Sequence, residues 1–163
     1  MEHDSSTGDL MKTQVLVGTC GFAESHGKTF KDFGIVEVQQ TFYQPPRVAT
    51  VERWHEEAPD NFVFTLKAWQ LLTHEATNPT YRRLRESLSE TELAKVGSFK
   101  WNPVTRTARR RTLELAEALQ AEAVVFQTPR SFLPSGDNLR RIYRFFESID
   151  RQGQKPGSDD SFC

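Results

Sequence analysis

The stretch IVEVQQTFY, Ile35 to Tyr43, decides the fold, because it alternates apolar and polar residues at the period of a β-strand. Val36, Val38, Gln40 and Phe42 fall on one face, and Ile35, Glu37, Gln39, Thr41 and Tyr43 on the other. The first face is mostly apolar and suits packing beneath helices. The second is mostly polar and points either to solvent or into a shared interior, and only a shared interior would make it a site.

Three further stretches read as strands. Gln14 to Gly18 (QVLVG) comes first, Phe62 to Lys67 (FVFTLK) alternates Phe62, Phe64 and Leu66 with Val63, Thr65 and Lys67, and Ala123 to Gln127 (AVVFQ) ends in a polar residue. Gly18 and Gly21 flank Thr19-Cys20, so the backbone there is free to turn tightly or to approach a ligand. Helical patterns separate the strands. Val48, Val51 and Trp54 share a face after Pro45-Pro46, with Pro59 as the stop, and Leu115, Ala116 and Leu119 share another. Leu139, Ile142, Tyr143, Phe146 and Ile149 form an amphipathic stripe, with Asp137 or Asn138 as the expected cap. The first connection, Gly27 to Phe33, reads as irregular. The resulting βαβαβαβα order predicts a parallel sheet flanked by helices.

In an α/β barrel, sites form where the C-terminal ends of strands meet the following loops. That geometry would gather Glu37, Gln39, Lys67 and Gln127 at one mouth, where the opposite charges of Glu37 and Lys67 offset the cost of burying either. A structural polar plug is the competing reading. The chain has 163 residues, enough for one domain, whereas a closed eight-stranded barrel typically takes about 250. The expected fold is therefore α/β, a TIM-like β/α barrel truncated to about four βα units, a half barrel. It would occupy residues 13–150, between disordered segments at 1–12 and 151–163. Four units leave two open sheet edges, which invite self-association.

Five blocks carry a more specific reading. These are GTCGF at Gly18 to Phe22, VEVQQTFYQPP at Val36 to Pro46, and W-x-x-E-A-P at Trp54 to Pro59, then FTLKAW and THE within Phe64 to Glu75, and VVFQTPRSF at Val124 to Phe132. In order, they resemble the YecE-like domain-of-unknown-function family, DUF 72. The resemblance covers about residues 14 to 150 and implies a TIM-like barrel with no established biochemical activity to inherit. The family positions matched here are Gly18, Thr19, Cys20, Glu37, Thr41, Tyr43, Lys67, Thr73, His74, Gln127 and Pro129.

Two functional classes follow. In the first, the mouth binds or hydrolyses a small phosphorylated or carbohydrate-like molecule. Glu37 is the candidate acid/base, Lys67 the charge stabiliser and His74 the proton carrier, with Gly18, Thr19, Cys20, Gln39, Thr41, Tyr43 and Gln127 in contact with the ligand. For Cys20 a small packed cysteine is the simpler reading than a nucleophile, since nothing around it has ligand spacing, and His55 reads as a solvent-exposed helix residue. In the second class the chain binds nucleic acid or another phosphodiester, weakly. Residues 81–111 carry nine basic and three acidic side chains, although the net charge is only −1. Arg106, Arg109, Arg110 and Arg111 are the candidate contacts, with a solvated helix face as the plainer account. Phe99 and Trp101 either stack on bases or anchor the long connection.

No GxGxxG, P-loop, CxxC or HExxH is present, which removes motif support for dinucleotide, nucleotide and zinc-protease chemistry. The sequence points to no metal site and names no cofactor. Two cysteines make no disulfide framework. With no apolar run near the roughly 20 residues of a membrane span and no visible signal peptide, the expectation is a cytoplasmic protein with no membrane partner.

Overall fold

A computed structural model describes residues 15–153. Four strands, β1 (Gly18–Cys20), β2 (Ile35–Val38), β3 (Val63–Lys67) and β4 (Ala123–Val125), pair in parallel and lie in chain order across one sheet. Between and after them run α1 (His26–Asp32), α2 (Gln40–Tyr43), α3 (Val48–Glu57), α4 (Glu90–Leu93), α5 (Pro103–Ala118) and α6 (Gly136–Gly153), with 3₁₀ turns at Gln70–Leu72 and Pro79–Arg83. Among the described residues no helix is long and apolar enough to cross a membrane.

Period two sorts the sheet into two faces. Val36, Val38, Phe64 and Leu66 are buried together with Phe30 of α1, Val51 and Trp54 of α3, and Leu115 and Leu119 at the end of α5. On the opposite face the register sets Cys20, Glu37, Thr65 and Ala123 in one row, with Lys67 and Val125 in the next. These residues are half-buried or exposed.

Several local expectations are corrected. The first connection is a helix rather than irregular. Phe30 on α1 is buried and meets Phe62 and Phe64 edge-on at 4.8 and 6.1 Å, which supplies the packing that a short, uncapped helix needs. The strand expected over Ile35 to Tyr43 stops at Val38, and the chain turns at once into α2. There the Thr41 Oγ1 lies 2.9 Å from the Val38 carbonyl and 2.7 Å from that of Lys67, so one hydroxyl ties the C-terminal ends of β2 and β3. The first strand begins at Gly18 rather than ending there, and Val15 and Val17 are exposed. Gly18 is sterically required, since a Cβ there would sit 2.0 Å from the Ile35 carbonyl oxygen. The fourth strand is shorter than expected and ends at Val125.

A second core lies beside the first. Phe99, Leu71, Leu72, Val96, Ala108 and Phe145 are buried in it, and Trp101 is half-buried against Phe145. The aromatics of the long connection therefore anchor it to the fold. The backbone reaches this core through Gly97, Ser98 and Phe99, all with positive φ (78°, 52° and 51°). Their N–H groups donate to the carbonyls of Leu71, Thr73 and Leu72. A Cβ on Gly97 would stand 2.5 Å from the His74 carbonyl carbon, so only glycine fits.

The starts of α5 and α6 are both capped by side chains. Asn102 caps α5 with Pro103 in its first turn. At α6 the cap is Ser135, whose Oγ accepts from the Asn138 N–H, rather than Asp137 or Asn138. Phe145 is the buried anchor of α6, while Leu139, Tyr143 and Phe146 of the expected apolar stripe are 49%, 69% and 39% exposed. The helix continues to Gly153, three residues into the segment expected to be disordered; residues 1–14 and 154–163 lie outside the described residues.

The two-faced sheet makes a direct prediction. Phe64→Ala should cost about 3–5 kcal/mol, and its neighbour Thr65→Ala on the other face less than about 1 kcal/mol. Urea unfolding of both variants checks this; equal losses would mean that the faces are not distinct.

Candidate functional site

The polar face of β2 and β3 carries a carboxylate and an ammonium at their C-terminal ends. Lys67 Nζ lies 4.0 Å from Glu37 Oε1, with side chains 17% and 24% exposed. The Gln39 amide donates to the same Glu37 oxygen, so the carboxylate is held from two sides. The ammonium also lies 5.7 Å from the centre of the Phe42 ring, a weak cation–π contact. Such a pair, largely withdrawn from water yet open on one side, has a stronger field than an exposed ion pair.

The remaining expected residues divide between the mouth and its supports. Cys20 lies beside Glu37 in the register, on the edge strand, and is exposed; the packed reading is corrected, because among the described residues no strand pairs with that edge. Thr19 Oγ1 donates to the Gly21 carbonyl, and Gly21 N–H donates to the Glu37 carbonyl, which fixes the turn after β1. Gly18 serves the close approach of β1 to β2. Thr41 is buried beneath the strand ends. The Tyr43 carbonyl accepts from the amide of buried Gln70, and its ring packs edge-on against Phe42. Gln127 is exposed beyond the end of β4, and no hydrogen bond joins it to the Glu37–Lys67 pair. The Pro129 carbonyl accepts from Phe132 N–H.

His74 is buried behind this layer. Its ring packs edge-on against Phe42 at 4.9 Å, and Nδ1 lies 2.8 Å from Thr73 Oγ1. Burial, and secondarily the positive charge of Lys67, push its pKa below the usual imidazole value. Tyr81 locks the segment by donating to the His74 carbonyl, and burial and then the nearby Glu75 raise its phenol pKa. His55 is half-buried rather than exposed, with its ring 6.3 Å from that of Phe64.

Of the expected arginines, Arg106, Arg109 and Arg110 line one cleft with Trp101, and Arg111 lines another. Arg109 is buried, with Nη2 donating to the Ser148 carbonyl and its guanidinium 5.8 Å from the Trp101 ring. Arg110 meets Glu114, Arg111 meets Glu86 at 2.7 Å, and Arg106 is exposed on α5. Sequence reasoning missed Phe42 and Gln70 as supports of the mouth. It also passed over a separate cleft lined by Arg47, Arg82, Arg83 and Arg85, whose basic residues are visible in the sequence but not their convergence. Among the described residues no group of three or more His, Cys, Asp or Glu side chains is placed to hold a metal.

Comparison with known proteins adds a family and a fold. The profile of a family described as "Protein of unknown function DUF72" matches residues 28–154. A solved structure of a DUF72 family protein from Enterococcus faecalis V583 superposes with a TM-score of 0.56 at 18% sequence identity. The match covers 80% of this chain and 45% of that one, so this chain spans less than half the length of that relative. No curated protein matches the sequence.

The placement of His74 sets a pH dependence. Its folded pKa lies below the unfolded value of about 6.5, so the unfolded chain binds more protons as pH falls from there, and stability should drop on the acid side. His74→Gln should flatten that slope between about pH 6.5 and the lowered folded pKa. Thermal melts across the range test it, and an unchanged slope in the variant would assign the acid sensitivity to other groups.

Proposed function

From the premise that the chain belongs to the DUF72 family, whose function is unknown, we propose that the Glu37–Lys67 pair binds a small phosphorylated or carbohydrate-like ligand at the C-terminal ends of β2 and β3. The carrying observation is the pair itself: opposite charges 4.0 Å apart, each side chain less than a quarter exposed, at the end of a parallel sheet where α/β folds bind ligands. The ammonium offers a charge to a phosphate or to a developing alkoxide. The carboxylate, steadied by Gln39, accepts a hydroxyl or takes a proton from an attacking water. In a hydrolytic reaction the water would lose that proton to Glu37 as its oxygen bonds to the substrate, and Lys67 would stabilise the leaving oxygen. His74 supports the pair from behind Phe42, since a neutral imidazole adds no like charge beside the ammonium.

The same reading extends to architecture. On this reading the four βα units are an arc of a TIM-like barrel, which the chain-order parallel sheet and the exposed Val15, Val17, Leu139, Tyr143 and Phe146 support. In the isolated chain a second copy takes that place, because open edges and apolar stripes favour association. Size-exclusion chromatography with light scattering should show dimers or larger assemblies. A clean monomer of 18.7 kDa with a sharp thermal transition would remove this part of the proposal.

The ligand reading is tested by titrating ¹⁵N-labelled protein with glucose 6-phosphate and with methyl glucoside. Shifts should concentrate at the amides of Cys20, Glu37, Gln39 and Lys67 for at least one of them. Lys67→Met should weaken the phosphorylated probe by about tenfold, the size of one charge-assisted hydrogen bond. Binding of neither probe, or shifts confined to other parts of the chain, would overturn it.

A further inference from the structure

Two separate segments build a cleft of about 640 Å³ beside α2, and four arginines and no acidic residue line it. Arg47 stands at the start of α3, and Arg82, Arg83 and Arg85 come from the 3₁₀ turn after β3 and the residues beyond it. All four are exposed, and among the described residues none of them forms an ion pair. Most other arginines of the region are neutralised or buried: Arg110 by Glu114, Arg111 by Glu86, and Arg109 in the second core.

The cleft is held together rather than formed by loose side chains. The Gln44 Oε1 accepts from the N–H groups of Arg85 and Glu86, at 3.1 and 3.2 Å, and fastens the arginine-bearing loop to the end of α2. Arg111 reaches from α5 to the Pro45 carbonyl with one nitrogen and to Glu86 with another, which clamps both walls. Asn78 caps the 3₁₀ turn, and the Arg83 guanidinium lies 3.6 Å from the centre of the Tyr43 ring, which orients its edge. Gathering four like charges in one concavity costs energy unless an anion offsets it, and the planar guanidinium fork matches phosphate oxygens in pairs. The volume falls in the range of small-molecule sites.

We propose that this cleft binds a compact polyphosphate, two or more linked phosphate groups on a small molecule, independently of the Glu37–Lys67 pair. A single phosphate would leave most of the four guanidinium groups unmatched. A nucleic-acid backbone would call for basic charge continued along a track, whereas on α5 Arg109 is buried and Arg110 and Arg111 are paired with carboxylates, which leaves only Arg106 of that helix's four arginines both exposed and unpaired among the described residues.

Isothermal titration calorimetry with inorganic pyrophosphate, orthophosphate and a short oligothymidylate, at one fixed salt concentration, tests the proposal. Pyrophosphate should bind saturably with one site per chain and about tenfold more tightly than orthophosphate, a difference of about 1.4 kcal/mol. Combined Arg83→Ala and Arg85→Ala substitutions should weaken it at least about tenfold, and Arg83→Lys less. Arg47→Ala, on a different element, should also weaken it and serves as the independent reading if the double variant loses its native circular dichroism. Lys67→Met should leave the pyrophosphate affinity unchanged, which separates failure here from failure at the mouth. Absent saturation, affinity undiminished in Arg47→Ala and in a folded double variant, loss of binding in Lys67→Met, or an oligothymidylate affinity above that of pyrophosphate would each overturn the assignment.

Discussion

Val36, Val38, Phe64 and Leu66 lose nearly all contact with water beneath α1, α3 and α5, and that burial fixes the register and the facing of everything else in the sheet. Each such side chain contributes about 1.5–3 kcal/mol on burial, while a partly exposed ion pair contributes about 1 kcal/mol or less. A slip of one residue in β2 would turn its buried valines toward the polar side and bury Glu37 instead. The charged pair is thus positioned by the apolar face behind it, and the attraction between Glu37 and Lys67 refines a geometry already imposed. This division lets a site sit on the sheet without the site having to stabilise the fold.

The loops after β2 and β3 carry the rest of the arrangement. A single buried hydroxyl, that of Thr41, lies against the carbonyls ending both strands. The Gln70 amide then reaches the Tyr43 carbonyl, and the Gln44 side chain reaches the backbone of Arg85 and Glu86. Side-chain amides and hydroxyls thus satisfy backbone groups at the strand ends and in the loops that follow them. The mouth pair and the arginine cleft share this framework, since Phe42 packs toward Lys67 and Tyr43 toward Arg83.

The parts legible in the sequence were those in which one strong local signal stood unopposed. The alternation in Phe62 to Lys67 located β3 to within a residue and put Lys67 on the polar face, and the same period placed Glu37 beside it. The alternation in β2 misled past Val38, because Gln39, Thr41 and Phe42 keep the period of two, with Gln40 as the one break, while the backbone has already turned helical. At α1 the local propensity was overruled by the burial of Phe30. In α6 the periodic stripe was real, but Phe145, off that stripe, took the place in the core. The Asn102-Pro103 start of α5 was readable as a cap and went unread. Convergence of Arg47 with Arg82, Arg83 and Arg85 depends on the path of a long connection, which no period in the sequence encodes.

Ser98 and Phe99 occupy the left-handed region that non-glycine residues avoid, at about 1–3 kcal/mol each. That cost is offset only while the Phe99 ring stays among Phe126, Phe132, Phe145 and Phe146. Two of those rings belong to α6, so the turn behaves as a spring latch whose catch is the terminal helix. The hydrogen bonds from this turn to Leu71, Leu72 and Thr73, which brace His74 and the start of the arginine-bearing connection, therefore rest in part on the packing of α6.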